Sequence, residues 1–347
     1  MTTETTSLDQ LSDEFQAFTG KPRSPMSDAI REFRRNKVAV GSMIFVGIVF
    51  IVAIFAPVFA PYHFALQNTS FARAKILEPY IITTDRYEEC HWKGTPLDFG
   101  CTVFIAGSDA LGRDLWSRVV YGTRVSLAVA LVASSVSLLI GLAYGTLSGY
   151  FGGRVDEIMM RIVDFLYAVP VLVLIILMQV YFKALTRQGA EGFAGLLIRW
   201  NQAMGGMLFL FIAMGALNWI GMARLARGQV LSQKKKEYIE AAKSIGSSDT
   251  RIIFKHLIPN IIGPLVVIET LAIPGYIFTE AALSFIGLGV DPPTPSWGAM
   301  ISESTQGIRS NPHLVLIPGA ALTLLTLAFN FMGDGLRDAI DPRSHNR

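Results

Sequence analysis

Glu269 and Glu280 stand eleven residues apart in a stretch, residues 260–287, that holds no other Asp, Glu, Lys or Arg. Eleven residues is about three turns of α-helix, so both carboxylates fall on one face. A carboxylate inside a membrane is costly enough to mark a pathway for a proton or a polar solute. Glu280 lies close enough to the end of the stretch to be solvated, whereas Glu269 is deep; the alternative for Glu269 is a packing residue satisfied by internal hydrogen bonds. Other chemistries find little support. "FTGKP" at 18–22 has a Gly-Lys pair but lacks the earlier glycine and the following Ser or Thr of a phosphate loop. No H-E-x-x-H, G-x-S-x-G or C-x-x-C occurs, and the histidines at 63, 91, 256, 313 and 345 are scattered. His91 beside Cys90 is too sparse for a metal site. Cys90 and Cys101 are the two cysteines and are candidates for a disulfide closing a small loop. The expectation is therefore no catalytic residue, no metal and no cofactor held by this chain.

The elements that position these residues follow from composition. The chain is 51% hydrophobic and 16% charged, well under the roughly 25% charged residues of soluble domains. Residues 38–62, 125–153, 165–182, 200–223 and 310–333 carry no Asp, Glu, Lys or Arg. With the stretch bearing the two glutamates, they predict six transmembrane helices in an all-α integral membrane protein. The net charge of +3 is too small to point to nucleic acid. With the N-terminus inside, 19 of the 30 Lys and Arg fall on the cytosolic side, an N-in, C-in arrangement. Residues 1–36 read as a polar cytosolic leader, with "SPMSDAIREFRRNK" forming a short helix on the membrane surface, and not as a cleaved signal.

The expected organisation is a first transmembrane helix over 37–62, an extracytoplasmic insertion over 63–106 and an interfacial amphipathic helix over 107–123. A core of five further helices spans 124–335, and a cytosolic tail covers 336–347. Gly141, Gly145, Gly149 and Gly153 form a stripe of small residues at four-residue spacing, suited to close helix packing where lipid supplies no hydrophobic drive. Prolines at 170, 264, 274 and 318 predict bent helices around a pathway. "GLGVDPPTPSWGAMISES", 287–304, reads as an outer-mouth loop with Trp297 at interfacial depth.

Between two apolar runs lies "KEYIEAAKSIGSSDTRIIFKHLIPN", residues 236–260. Its Ala-rich first half forms a helix, Gly246 with Ser247, Ser248 and Asp249 supplies a turn and a new cap, and Pro259 ends the second helix at the bilayer. Tyr238, Ala241, Ala242 and Ile245 share one small apolar face. Two short helices joined at a glycine, with such a face, are built to dock in a partner's groove.

Glu240-Ala241-Ala242, then Gly246, then Pro259 resembles the EAA loop of ABC importer permeases. "GSDALGRDLWSRVVYGTRVSL", "GYFGGRVDEIMMRIVDFLYAVP", "EAALSFIGLGVDPPTPSWGAMI" and "FNFMGDGLRDAIDPR" extend the likeness over about residues 28–343, apart from 64–104. Together they resemble the C-type permease of dipeptide and oligopeptide importers, whose close relatives also carry nickel. The resemblance implies the type I ABC importer permease fold and half of a pathway worked by alternating access in a bacterial or archaeal cytoplasmic membrane. It also implies as partners a B-type permease, two cytosolic ATPases that bind ATP and Mg, an extracytoplasmic solute-binding protein and a peptide substrate. Glu240, Ala241, Ala242, Gly246, Ser247 and Pro259 would then couple to the ATPase. Nickel cargo and a proton-coupled carrier centred on Glu269 are the alternatives.

Overall fold

The computed structural model describes residues 25–67, 69, 72–76, 78–79, 103–189 and 191–340. Cys90, Cys101 and most of the 63–106 insertion lie outside them. Among the described residues six helices are long and apolar enough to cross a membrane: α2 (Lys37–Ile54), α4 (Leu115–Phe151), α6 (Val171–Gln188), α8 (Met207–Gln233), α10 (Asp249–Phe285) and α12 (His313–Ile340). Around them lie α1 (Pro25–Arg35), α3 (Ala56–Phe59), α5 (Gly153–Tyr167), α7 (Gly192–Ala203), α9 (Glu237–Ser244) and α11 (Trp297–Ser304). Two very short strands, β1 (Glu78–Pro79) and β2 (Val103–Phe104), pair antiparallel.

Helices α4, α8, α10 and α12 form the packed body, with α2 laid against α12 and α4. The centre of α4 lies along α8, and three of the four small residues explain how closely. A Cβ on Gly141 would stand 2.5 Å from the Met222 Cβ, on Gly145 2.2 Å from the Ala223 carbonyl oxygen, and on Gly149 3.0 Å from Val230. The fourth differs from the expectation. Gly153 opens α5 at φ +54 with nothing within 4 Å of its Cβ position, because the chain has already turned away at Gly152. Gly145→Leu is expected to destabilise the protein by about 1–3 kcal/mol, because the obstacle is backbone that cannot yield. Gly47→Leu in α2, where a Cβ meets nothing within 4 Å, is the control. Melting curves in detergent that moved equally for both variants would contradict this packing.

Three expectations are corrected. Residues 107–123 do not make a separate interfacial helix: after a turn, α4 starts at Leu115 and runs unbroken to Phe151. Asp114 caps it, accepting from the Ser117 N–H at 2.7 Å. Arg118 is enclosed and ion-paired, and Arg124 donates to the carbonyls of Ala53 and Ile54 at 2.5 and 2.7 Å, which the end of α2 leaves without helical partners. Pro259 does not end a helix either. Ile252–Leu257 is a π turn in which the Ile258 N–H reaches the Ile253 carbonyl, and this wider turn accommodates the proline while α10 continues. Trp297 is not an interfacial anchor, being 2% exposed with its indole N–H on the Val119 carbonyl at 3.0 Å. Gly122 gives it room, since a Cβ there would strike Trp297 Cδ1 at 2.9 Å, and Gly298 lets α11 lie close on α10, since a Cβ there would strike the Ala281 carbonyl oxygen at 2.1 Å.

Candidate functional site

Residues 236–260 stand at one end of the body. Helix α9 is capped at its end by Ile245, Gly246 takes φ +78, and Ser248 caps the start of α10 by accepting from the Arg251 N–H at 3.4 Å. Only glycine adopts that φ without steric cost. One side of this knob is anchored: Ile239, Ala242, Ile252, Leu257 and Ile261 are buried together with Tyr150, Met222 and Val230 of α4 and α8. The Tyr150 hydroxyl donates to Asp249 at 2.5 Å, and Lys234 donates to the Tyr150 carbonyl. Its other side is bare, with Ile245 82% and Phe254 67% exposed. Tyr238, Glu240, Ala241, Gly246 and Pro259 are also exposed, and Ser247 is half-buried. Ala242 corrects the expected apolar face. It points inward with Ile239 and serves the anchor, so the free face is carried by Tyr238, Ala241 and Ile245.

Beside the knob, α5 is tied to α8 by two ion pairs. Arg227 donates twice to Asp156, both at 2.5 Å, and Arg224 meets Asp164 at 2.6 Å. The Arg227 hydrogen bonds, against some opposing burial, hold the Asp156 carboxyl below its usual value. Sequence reading passed over these pairs, because the partners lie 60 and 71 positions apart and the spacing of the two acids does not match that of the two arginines.

The two glutamates share a face of α10, and that face is turned to α4. Tyr276 donates to Glu269 at 2.7 Å and Ser137 donates to it at 3.3 Å. Ser284 and Ser126 donate to Glu280 at 2.6 and 3.3 Å. Glu280 is 0% and Glu269 5% exposed, so the expectation that Glu280 is solvated is overturned: α11 and the loop before it cover that end of the helix. Both glutamates sit in a closed polar seam between two helices, where every carboxylate oxygen has a donor. Ser126 and Ser137 are themselves eleven residues apart, which antiparallel α4 requires to meet both.

At the end of the body opposite the knob, Asp109, Arg113, Arg118 and Glu303 form a balanced quartet. Arg113 reaches Asp109 at 2.6 Å and Glu303 at 2.7 Å; Arg118 pairs with Asp109 and reaches Glu303 at 2.9 Å. Burial pushes the Asp109 carboxyl up, but Arg118 and Arg113 outweigh it and hold it below its usual value. Next to them, burial raises the Asp114 carboxyl to about 6. Among the described residues no group of three or more His, Cys, Asp and Glu side chains is placed to hold a metal ion.

Residues 137–346 match the family described as binding-protein-dependent transport system inner membrane component, and residues 24–79 match the N-terminal TM domain of oligopeptide transport permease C. The oligopeptide transport system permease protein OppC of Bacillus subtilis is 37% identical over 324 residues, 93% of this chain and 91% of that protein. OppC of Haemophilus influenzae is 37% identical over 340 residues, 97% of this chain and 94% of that protein. The dipeptide transport system permease protein DppC of Bacillus subtilis is 36% identical over 317 residues, 91% of this chain and 85% of that protein. Among solved structures, an inward-facing MetNI methionine ABC transporter aligns at TM-score 0.48 and 19% identity, over 64% of this chain and 96% of that one.

Proposed function

The chain belongs to the binding-protein-dependent transport inner-membrane component family, and from that premise we propose that it is the C-type permease half of an ATP-driven importer of di- and oligopeptides. The observation that carries the mechanism is the knob at 236–260. Its Ile245 and Phe254 are bare, while Ile239, Ala242 and Leu257 are locked into the core. An apolar residue 82% exposed on a rigid mount is the form of an anchor that fills a pocket in another subunit. The partners this reading requires are a B-type permease, two ATPases that bind ATP and Mg, and a solute-binding protein. The knob seats in the ATPase, whose closure drags it, and the attached helices carry the movement across the membrane. Glu240, on the exposed side, lies toward the ATPase surface. The knob end is the cytosolic end, with both termini inside. The chain itself hydrolyses nothing.

The proton-coupled reading loses support, because Glu269 is enclosed by Ser137 and Tyr276 and faces a neighbouring helix. Nickel cargo gains none, since no metal-ligating group forms among the described residues. Purification in mild detergent, with the products of neighbouring genes co-expressed, is expected to recover a second permease and two ATPases. A stable homo-oligomer without an ATPase would overturn the proposal.

A further inference from the structure

At the end opposite the knob, a cavity of about 330 Å³ opens between the last turns of α6, the α7–α8 turn and the loop after α10. Gln179, Lys183 and Arg187 line it at four-residue spacing along one face of α6, opposite Asn201 and Asp291. Gln179 is 2% exposed, and its side-chain Nε2 has no hydrogen-bond partner among the described residues. A buried amide donor left without an acceptor is rare enough to need an explanation, and the cavity it lines supplies one.

The wall opposite is held in place. The Asp291 N–H bonds the Gly205 carbonyl at 3.1 Å, and a Cβ on Gly206, at φ +85, would stand 2.5 Å from the Asp291 nitrogen. Asn201, 2% exposed, accepts from the Phe209 N–H at 3.1 Å and fixes the turn before α8. Lys183 meets Asp291 at 2.9 Å, which cancels one positive charge and leaves the exposed Arg187 as the surplus. The site thus has one net positive charge and one vacant N–H donor, the complement of a singly charged oxyanion.

The surroundings identify the source of that oxyanion. Helix α7 beside the cavity turns Phe193 and Trp200 outward, 77% and 56% exposed, and Tyr181 on α6 is 63% exposed. Aromatic side chains at the end of a membrane-crossing helix, flanked by Lys and Arg, mark the headgroup level of a bilayer. We propose that this cavity holds the phosphate of an anionic phospholipid, with Gln179 and Arg187 as donors and the acyl chains lying against the aromatic residues of α6 and α7. The proposal depends only on the chain's crossing the membrane, so its failure would leave the importer reading intact.

The test is native mass spectrometry of the full-length chain, with the subunits it retains, after delipidation and incubation with equal amounts of phosphatidylglycerol and phosphatidylcholine. Wild type is expected to retain phosphatidylglycerol preferentially. Arg187→Ala, at an exposed position, and Gln179→Leu, close in shape, are each expected to weaken that retention by roughly tenfold, the loss of one charge-assisted hydrogen bond. Arg199→Ala, exposed on α7 but outside the cavity, is expected to change nothing. Retention unchanged in both cavity variants, or weakened equally by Arg199→Ala, would overturn the proposal. Displacement of the lipid by inorganic phosphate at comparable concentration would equally overturn the lipid as occupant.

Discussion

Gly246→Asp is expected to cut ATP-driven uptake by about thirtyfold or more, the scale of a lost interface anchor of at least 2 kcal/mol, while the chain still inserts in the membrane. Two effects combine. Gly246 adopts φ +78, so any L side chain there strains the turn that aims Ile245. The carboxylate would also enter the apolar surface that receives Ile245, where an unpaired charge is strongly disfavoured. The chain's own packing is not the obstacle, because a Cβ at 246 meets nothing within 4 Å. Loss of uptake with normal membrane levels and reduced co-purification of the ATPase is the expected outcome. Full uptake in the variant would separate the knob from energy transfer.

Asp109→Asn is expected to cost about 3 kcal/mol of stability at neutral pH, the scale for removing one partner of a buried ion pair. Arg118, 2% exposed, and Arg113, 5% exposed, would then share Glu303 alone. The cost has a pH signature. Asp109 is held below its ordinary value of 3.8 in the folded chain. The unfolded chain therefore takes up its proton first, and the stability the carboxylate supplies is present above that value and lost as pH falls through the lower, folded one. Wild type and variant should converge on acidification below 3.8. Melting temperatures separated by the same interval at neutral and acid pH would show that the quartet is not the source.

Much of this architecture was legible before any coordinates. Five spans follow from runs without charge and a sixth from an apolar stretch bearing only Glu269 and Glu280, and the helix-glycine-helix block follows from Gly246 and the residues around it. What misled was the assumption that a charge marks a boundary. Arg118 and Arg124 placed the start of the second span ten residues late, because their partners, Asp109, Glu303 and two carbonyls of α2, are distant in sequence or invisible as side chains. Pro259 misled for a related reason: the π turn that absorbs it has no residue signature. Trp297 looked interfacial because tryptophan so often is, whereas the glycine that admits it to the core, Gly122, lies on a different helix. The paired spacing of Ser126 and Ser137 with the two glutamates was visible in the sequence, but serines in apolar helices are common and nothing marked these two.

That equal spacing limits how the molecule can move. Two hydrogen-bonded contacts eleven residues apart act as a pair of dowels between α4 and α10. Sliding one helix along the other by a single turn, about 5.4 Å, would pull both serines from their carboxylates at once and leave each acid only its donor on α10, Tyr276 or Ser284. The helices are thereby held in register as a single plate. A pull on the knob at one end of α10 must swing that plate whole, and the flexing must be taken up where it meets its neighbours.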